Sequence, residues 1–146
     1  MLNNSLFTSN KQNWETPQKF FDELNNEFNF NHDICADANN AKCKNYTTEN
    51  ENALEIKWGG LGNIFCNPPY DTKIQNAIFK KAYEESQKEN VGTIVLLVPA
   101  RTDTTRWHNY VFGKAKVRFL KGRLKFEVNG IGSDPAPFPS ALIIYQ

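Results

Sequence analysis

The sequence predicts a single α/β domain with a mostly parallel sheet and helices on both of its faces. Amphipathic stretches alternate along the chain with short apolar runs, the order expected for parallel strands joined by crossover helices. Residues 93–98 form a continuous apolar run, as in a strand covered on both faces. A length of 146 residues corresponds to one domain.

The first element is a helix that follows a polar segment. Residues 1–13 are rich in Asn and Ser and are predicted to form a flexible arm, which leaves 14–146 as the domain. Thr16 is a plausible N-cap and Pro17 a plausible first helical residue. Phe20, Phe21, Leu24 and Phe28 recur at helical spacing, so we expect a helix over about 17–28.

The remaining elements follow from the same patterns. Residues 41–60 are too polar to assign. Asp71 or Thr72 can cap the second helix. The last strands lie close together in the chain, so that part of the sheet can be antiparallel. In chain order we expect strand 32–36, strand 61–66, a helix from about 72 to 89, strand 93–98, a short helix 104–112, and strands 117–120, 124–128 and 141–145.

Two polar segments come directly after predicted strands. Asp33–Asp37 lies at the end of the first strand, and Asn67–Tyr70 follows the second. Ligands of such sheets bind beyond the carboxyl ends of the strands. The fold alone therefore predicts that both segments lie on one rim.

Charge is unevenly distributed, although the net charge is only +1. The segment 101–125 carries eight cations against the single acid Asp103, which suits a polyanion such as nucleic acid. A solvated surface with scattered lysines is an equally good interpretation of charge alone. The cations are Arg101, Arg106, Lys114, Lys116, Arg118, Lys121, Arg123 and Lys125.

Other features exclude several classes of protein. No apolar run has membrane-spanning length and the N-terminus lacks the pattern of a signal peptide, so a soluble cytoplasmic protein is expected. The three cysteines, Cys35, Cys43 and Cys66, form no Cys-x-x-Cys pair. We therefore expect free thiols and no metal site.

Asn67-Pro68-Pro69-Tyr70 is the segment with the clearest chemistry. An exocyclic amino group is a poor nucleophile, and two acceptors held against its N–H groups favour the geometry needed for attack on a sulfonium methyl. The Asn67 amide oxygen and the Pro68 carbonyl can be these acceptors, because the prolines fix a turn with outward carbonyls. Asn67 cannot act as a base, which predicts direct in-line transfer with later proton loss.

Tyr70 completes this predicted catalytic segment by offering a flat face for a base flipped out of a duplex. A plain loop after a strand is the alternative interpretation. The four residues also do not distinguish adenine, cytosine and a glutamine amide as acceptors.

In this context the chain resembles the phage-type, Dam-like DNA N6-adenine methyltransferases. The resemblance covers roughly residues 14–145, with all elements in the family's order. Its matching elements are Trp14-Glu15-Thr16-Pro17, Asp33-Ile34-Cys35-Ala36-Asp37, Asn40-Ala41-Lys42-Cys43, Phe65-Cys66-Asn67-Pro68-Pro69-Tyr70, Leu97-Val98-Pro99-Ala100-Arg101-Thr102-Asp103, Gly122-Arg123-Leu124-Lys125-Phe126 and Ala136-Pro137-Phe138-Pro139-Ser140.

The resemblance implies a minimal Rossmann-like methyltransferase fold, S-adenosylmethionine as methyl donor and adenine in DNA as acceptor. It implies that Asn67–Tyr70 hold the target base. The glycine-rich first loop of methyltransferases in general is replaced by Asp33–Asp37, whose carboxylates could bind the donor's ammonium group. The residues that the resemblance places at the donor pocket are Trp14, Thr16, Pro17, Asp33, Cys35, Ala36 and Asp37.

Several further residues are candidates from their positions. Asn52 and Leu54 are predicted to meet the donor's adenosine, with an ordinary polar loop as the alternative. Arg101 and Thr102 follow a buried strand and can contact phosphate. Arg123 and Lys125 alternate with apolar neighbours, as on a strand with one basic face, which can be a DNA contact or a solvated face.

These features predict an adenine-specific DNA methyltransferase of phage or prophage type, acting in the bacterial cytoplasm. The chain has no room for a separate recognition domain, so loops 101–110 and 129–139 should give short or loose specificity. The open alternatives are a methyltransferase on RNA, cytosine N4 or protein glutamine, and a non-catalytic nucleic-acid-binding protein.

Overall fold

The computed structural model describes residues 14–37, 39–48, 52–132 and 134–146, so the predicted arm 1–13 lies outside the described residues. Three helices and eight strands occur in this part of the chain. The helices are α1 (Gln18–Phe28), α2 (Thr72–Ser86) and α3 (Thr105–Tyr110). The strands are β1 (His32–Ile34), β2 (Asn45–Thr47), β3 (Ile64–Cys66), β4 (Ile94–Pro99), β5 (Lys116–Phe119), β6 (Glu127–Val128), β7 (Ile131–Gly132) and β8 (Ser140–Tyr145).

The central sheet has six strands in the order β2-β1-β3-β4-β8-β5. Neighbours from β2 to β4 pair in parallel, whereas β8 runs antiparallel to both β4 and β5. Only β8 is therefore reversed among these six strands. The predicted α/β class with a mostly parallel sheet and an antiparallel late part is confirmed. β6 and β7 form a separate two-stranded hairpin.

Helices cover the sheet on both faces. On one face, Phe21, Leu24 and Phe28 of α1 pack in a cluster with Phe65 and Val95 of the sheet. On the other face, α2 and α3 pack against the intervening sheet residues. That second cluster includes Ile34, Ile64, Cys66, Ile74, Ile78, Phe79, Leu96, Val98 and Trp107. Alternate residues of one strand thus serve different cores, which explains the continuous apolar run of β4.

The helix starts differ in one important respect from the prediction. Asp71 caps α2 as expected, accepting a hydrogen bond of 3.1 Å from the backbone N–H of Ile74. Thr16 does not cap α1: Pro17 is the N-cap residue, and the first N–H of the helix, that of Gln18, bonds instead to the carboxylate of Glu127. The hydroxyl of Thr16 is instead used at the rim of the sheet, as described below.

The sequence prediction was wrong in part for three short strands. β1 ends at Ile34 and not at residue 36, because Cys35 has a left-handed backbone with φ of 66°. β3 begins at Ile64 and not at 61, since Gly62 before it also has a positive φ, 79°. The strand β2 was not predicted at all, because its three residues are polar and lie at the edge of the sheet.

The predicted strand 124–128 is wrong for residues 124–126. Only Glu127 and Val128 are strand residues, although exposure alternates along 123–126 as expected. Opposite this segment, the N–H of Ala136 bonds to the carbonyl of Leu124 at 2.8 Å. Pro135 and Pro137 flank that residue and have no N–H, so the ladder cannot continue.

Other bounds shift by a few residues: α2 stops at Ser86 and α3 is shorter than predicted at both ends. None of the helices in the described ranges is long and apolar enough to span a membrane.

Candidate active site

The candidate site lies between β1 and β3, where the connections that follow the two strands lead to opposite sides of the sheet. From β1 the chain goes to β2 on one side, and from β3 it goes to β4 on the other. Such a switch point opens a crevice between the carboxyl ends of the two strands. A cleft is found there, with about 410 Å³ of space including its open mouth. Its lining residues are Trp14, Glu15, Thr16, Asp33, Cys35, Ala36, Asn40, Lys42, Phe65, Asn67 and Pro69.

One wall of the cleft is the strap, residues Trp14–Thr16, which precedes α1. Two hydrogen bonds join the backbones of Glu15 and Glu127, with N···O distances of 3.1 and 2.9 Å. The carboxylate of Glu127 also accepts a bond of 3.3 Å from the N–H of Gln18. The strap is therefore fixed between the β6–β7 hairpin and the start of α1.

The Asn67 side chain has a defined orientation. Its Nδ2 donates to the carbonyl oxygen of Trp14 at 2.6 Å and to Oγ1 of Thr16 at 3.2 Å. Oδ1 therefore faces away from the strap, and it accepts a bond of 2.8 Å from the hydroxyl of Tyr70. An amide oxygen has two lone pairs, so Oδ1 can accept another donor.

The two prolines present their carbonyl groups differently. Gln75 of α2 is buried, and its Nε2 donates to the carbonyl oxygen of Pro69 at 3.0 Å. The carbonyl oxygen of Pro68 accepts no hydrogen bond within the described ranges. Asn67 Oδ1 and the Pro68 carbonyl are thus the acceptors that this turn can offer to an amino group.

The ring of Tyr70 belongs to a group of four aromatic side chains, which we call the aromatic cluster: Trp14, Tyr70, Phe126 and Phe138. Ring centroids of the other three lie 6.1, 5.9 and 5.3 Å from that of Tyr70. Burial, followed by the nearby Cys66, raises the pKa of the Tyr70 hydroxyl well above its usual value. This hydroxyl is consequently a hydrogen-bond donor at neutral pH.

Asp33 is the buried carboxylate of the cleft lining and is only 4% exposed. Its Oδ2 accepts a hydrogen bond of 2.8 Å from the N–H of Lys42. Burial raises its pKa to about 7, against the opposing effect of that hydrogen bond and of the Lys42 charge. Asp33 is poised to lose its proton when a cation binds beside it.

The three thiols are free, and two of them have a raised pKa. Burial raises the pKa of Cys43 to about 12, with a contribution from Asp33, and raises that of fully buried Cys66, which also contacts the Cys35 thiol. Cys43 and Cys66 are therefore thiols and not thiolates at neutral pH.

The structure brings most of the predicted donor-side residues to the cleft, but not all. Pro17, Asp37, Asn52 and Leu54 do not line it. Asp37 closes a turn by accepting from the N–H groups of Asn39 and Asn40. Oδ1 of Asn52 accepts from the N–H of Leu54 in a similar turn, and their contact with the donor stays a prediction.

Several residues at the site were missed as functional candidates. Glu15, Asn40, Lys42, Phe126 and Phe138 occur inside the segments of the family resemblance, which gave the available signal. Gln75 had no sequence signal, because it lies in a helix among ordinary polar residues and contacts Pro69 only through the fold.

The predicted DNA-contacting residues occupy loops after β4 and β5. These strands run in the same direction as β1 and β3, so the loops lie on the same rim. The Arg101 guanidinium lies 5.9 Å from the ring of Phe138, and Nη1 of Arg123 donates to the carbonyl of Ala136 at 3.2 Å. Lys125 is exposed and Thr102 half-buried.

Comparison with known proteins adds independent information. A family model described as "DNA N-6-adenine-methyltransferase (Dam)" matches residues 3–144. The chain is 29% identical over its whole length to a "DNA N-6-adenine-methyltransferase" of Haemophilus phage HP1 (strain HP1c1), of which it covers 85%. It is also 40% identical, over 39% of its own length, to "Putative methyltransferase YfdM" of Escherichia coli (strain K12), of which the match covers 69%.

Proposed function

The chain belongs to the DNA N-6-adenine-methyltransferase (Dam) family, and on this basis we propose which of its residues carry the reaction. The protein methylates adenine N6 in DNA, as the family and the phage relative indicate. Asn67–Tyr70 is the segment that holds the target base. The single observation that carries this assignment is the orientation of Asn67, whose Oδ1 is turned away from the strap by two acceptors for its Nδ2.

We propose S-adenosylmethionine as the methyl donor, bound in the cleft between β1 and β3. The cleft lies beyond the carboxyl ends of two neighbouring parallel strands, where ligands of such sheets bind. Asp33 gives it a buried carboxylate for an ammonium group, and Ala36 and Pro69 give it apolar walls. When bound, this donor supplies an electrophilic methyl group, whose bond to sulfur breaks as the bond to the adenine nitrogen forms.

The acceptor side works by positioning the amino group. Asn67 Oδ1 and the Pro68 carbonyl accept its two hydrogens, which favours a tetrahedral nitrogen with its lone pair directed into the cleft. The hydroxyl of Tyr70 now donates to Oδ1, whose second lone pair is left for the amine. Neither acceptor is a base, so the proton leaves the nitrogen after transfer and goes to solvent.

Tyr70 supplies the stacking face for the flipped adenine. A base in a duplex cannot reach the cleft, so it must be extruded. Stacking on an aromatic ring contributes about 1–3 kcal/mol per base, which offsets part of the cost of unstacking. The rings of Trp14, Phe126 and Phe138 pack against the ring of Tyr70 and support its position.

DNA approaches the rim through the loops after β4 and β5. Arg101, Thr102, Arg123 and Lys125 are the proposed phosphate contacts. Loops 101–110 and 129–139 are the proposed source of any sequence preference, which we expect to be short. A phage relative and a DNA substrate agree with action in the cytoplasm of a bacterial host.

The test is mass spectrometry of nucleosides from a methylation-free host that expresses wild type, Asn67→Ala or Asn26→Ala. Asn26 is an exposed asparagine of α1 and serves as the matched control. We expect N6-methyladenine with wild type and Asn26→Ala. Purified Asn67→Ala should lose about 100- to 1,000-fold in kcat, the usual effect of removing one preorganised hydrogen-bond partner. N4-methylcytosine without N6-methyladenine, or full activity of Asn67→Ala, would contradict the assignment.

A further inference from the structure

We propose that Thr16 is a positioning residue for the methyl transfer, acting through the orientation of the Asn67 amide. This inference rests on the proposed role of Asn67 as the acceptor of the target amine. It differs from the expectation that Thr16 contacts the methyl donor, because it assigns the hydroxyl to a partner within the protein.

The side-chain amide of an asparagine is nearly symmetric in shape. It has nearly the same shape after a rotation of 180°, which exchanges the oxygen and the nitrogen. Only Nδ2 can donate to the Trp14 carbonyl at 2.6 Å, so this contact selects one of the two orientations. One contact still lets the amide plane swivel around that hydrogen bond.

The second acceptor removes that freedom. Oγ1 of Thr16 takes the other Nδ2 hydrogen at 3.2 Å, so both amide hydrogens are used and the plane is fixed at two points. Oδ1 is then directed at the position of the target amine. A rate enhancement that depends on aligned acceptors is lost when their direction varies.

The position of Thr16 is itself well fixed. Its side chain is 2% exposed, and the backbone pair Glu15–Glu127 on one side and the start of α1 on the other hold the strap. The hydroxyl does not cap α1, so its contact with Asn67 is not a by-product of helix capping. The hydroxyl of Thr16 therefore contributes to the site and not to the cap of the helix.

The experiment compares Thr16→Val, which replaces the hydroxyl by a methyl of similar size, with Thr16→Ser, which retains it. For both variants and wild type, one measures kcat, the KM for DNA, the melting temperature and the Kd for S-adenosylhomocysteine by calorimetry. We expect Thr16→Val to lower kcat about tenfold, the effect of one lost hydrogen bond, and Thr16→Ser to stay near wild type. The Kd and the KM for DNA should hardly change.

A measurement without substrates tests the same step. In ¹⁵N NMR of the free protein, the side-chain amide hydrogens of Asn67 should exchange faster with water in Thr16→Val than in wild type and Thr16→Ser. This readout does not depend on activity, and a melting temperature close to that of wild type shows that the variant is folded.

Three results would overturn the proposal. An unchanged kcat with a weaker Kd for S-adenosylhomocysteine would make Thr16 a donor contact. Equal losses of kcat in Thr16→Val and Thr16→Ser would mean that Thr16 acts through packing and not through its hydroxyl. The same would follow if Thr16→Val had a lower melting temperature but unchanged exchange of the Asn67 amide hydrogens. Failure of the proposed function gives a different pattern, because Asn67→Ala would then retain activity whatever Thr16 does.

Discussion

The two sides of the cleft are built on neighbouring parallel strands but by different means. The acceptor rim, residues 67–70 after β3, is held by prolines and by hydrogen bonds to the strap and to α2. The donor rim, residues 33–37 and 39–42 around the end of β1, holds a buried carboxylate and a cysteine with a left-handed backbone. Both rims lie at the carboxyl ends of parallel strands. The acceptor rim has a fixed geometry, whereas the protonation of Asp33 in the donor rim depends on pH.

The difference has a physical origin. A methyl acceptor needs direction, which rigid acceptors supply without changing charge. A cationic donor needs a countercharge, which costs free energy to hold inside the protein before the donor arrives. Asp33 reduces this cost by remaining partly protonated at neutral pH, since its pKa is about 7.

The largest predicted effect concerns that countercharge. Asp33→Asn should weaken binding of S-adenosylhomocysteine on the order of a hundredfold at pH 8, the effect of losing one partner of a buried charge pair. In wild type, binding should be about tenfold weaker at pH 6 than at pH 8, because the carboxyl must first lose its proton. Calorimetry at pH 6, 7 and 8 measures both, and the variant should show no such dependence.

Asp33→Asn should stabilise the folded protein at pH 8, although it weakens donor binding. The folded pKa of Asp33 is raised from 3.8 to about 7, so its contribution to stability is present at low pH and is lost as the pH rises from about 4 to about 7. Asp33→Asn should therefore melt at a higher temperature than wild type at pH 8. Asp103→Asn, at an exposed acid, is the control. Equal donor affinity in all three proteins would remove Asp33 from the donor rim.

The next effect tests the acceptor rim. Tyr70→Ala should lower kcat/KM for DNA about thirtyfold through loss of base stacking, and Tyr70→Phe should keep most of it because the ring remains. Tyr70→Phe also leaves Oδ1 of Asn67 without its present donor. Steady-state kinetics on duplex DNA distinguish these variants. A loss in Tyr70→Phe as large as in Tyr70→Ala would mean that the hydroxyl, and not the ring, is the important group.

The acceptor rim was the more predictable half because its chemistry is local. Asn67, the prolines and Tyr70 are adjacent in sequence, and prolines restrict their own backbone and that of the preceding residue. The position after a buried strand followed from the apolar pattern, which also gave the α/β class. The contact of Thr16 was not predictable, because its partner Asn67 is far away in the chain. The contact of Gln75 with Pro69 is closer in the chain, but it depends on the direction in which α2 leaves the turn, which no sequence pattern indicated.

The donor rim was less predictable because its properties arise only on folding. The pKa of Asp33 is set by burial, and Cys35 has the backbone conformation for which a glycine would have been the sequence signal. The prediction for Asn52 and Leu54 came from sequence order alone, and these residues do not line the cleft. The polar strand β2, on the far side of β1, gave no apolar signal.

A smaller predicted effect concerns Arg101 and Arg123, the arginines proposed to contact DNA phosphates in the loops after β4 and β5. Arg101→Gln and Arg123→Gln should each weaken DNA binding about three- to tenfold and lower the salt slope by about 0.9, the value for one phosphate contact. Arg118→Gln is the control, since Arg118 already pairs with Glu27. Fluorescence anisotropy across salt concentrations measures the slope. If all three variants lost the same DNA affinity and salt slope, net charge would explain the attraction of DNA, and direct phosphate contacts of Arg101 and Arg123 would not.

The smallest effect concerns the backbone of the donor rim. Cys35 has a φ of 66°, where a side chain costs about 1 kcal/mol and glycine costs none. Cys35→Gly and Cys35→Ala both remove the thiol contact with Cys66, so their difference isolates this conformational cost. Cys35→Gly should be the more stable by about 1 kcal/mol in urea unfolding. If Cys35→Ala is at least as stable as Cys35→Gly, the backbone at residue 35 is not strained. The donor rim would then differ from the acceptor rim only in the charge of Asp33.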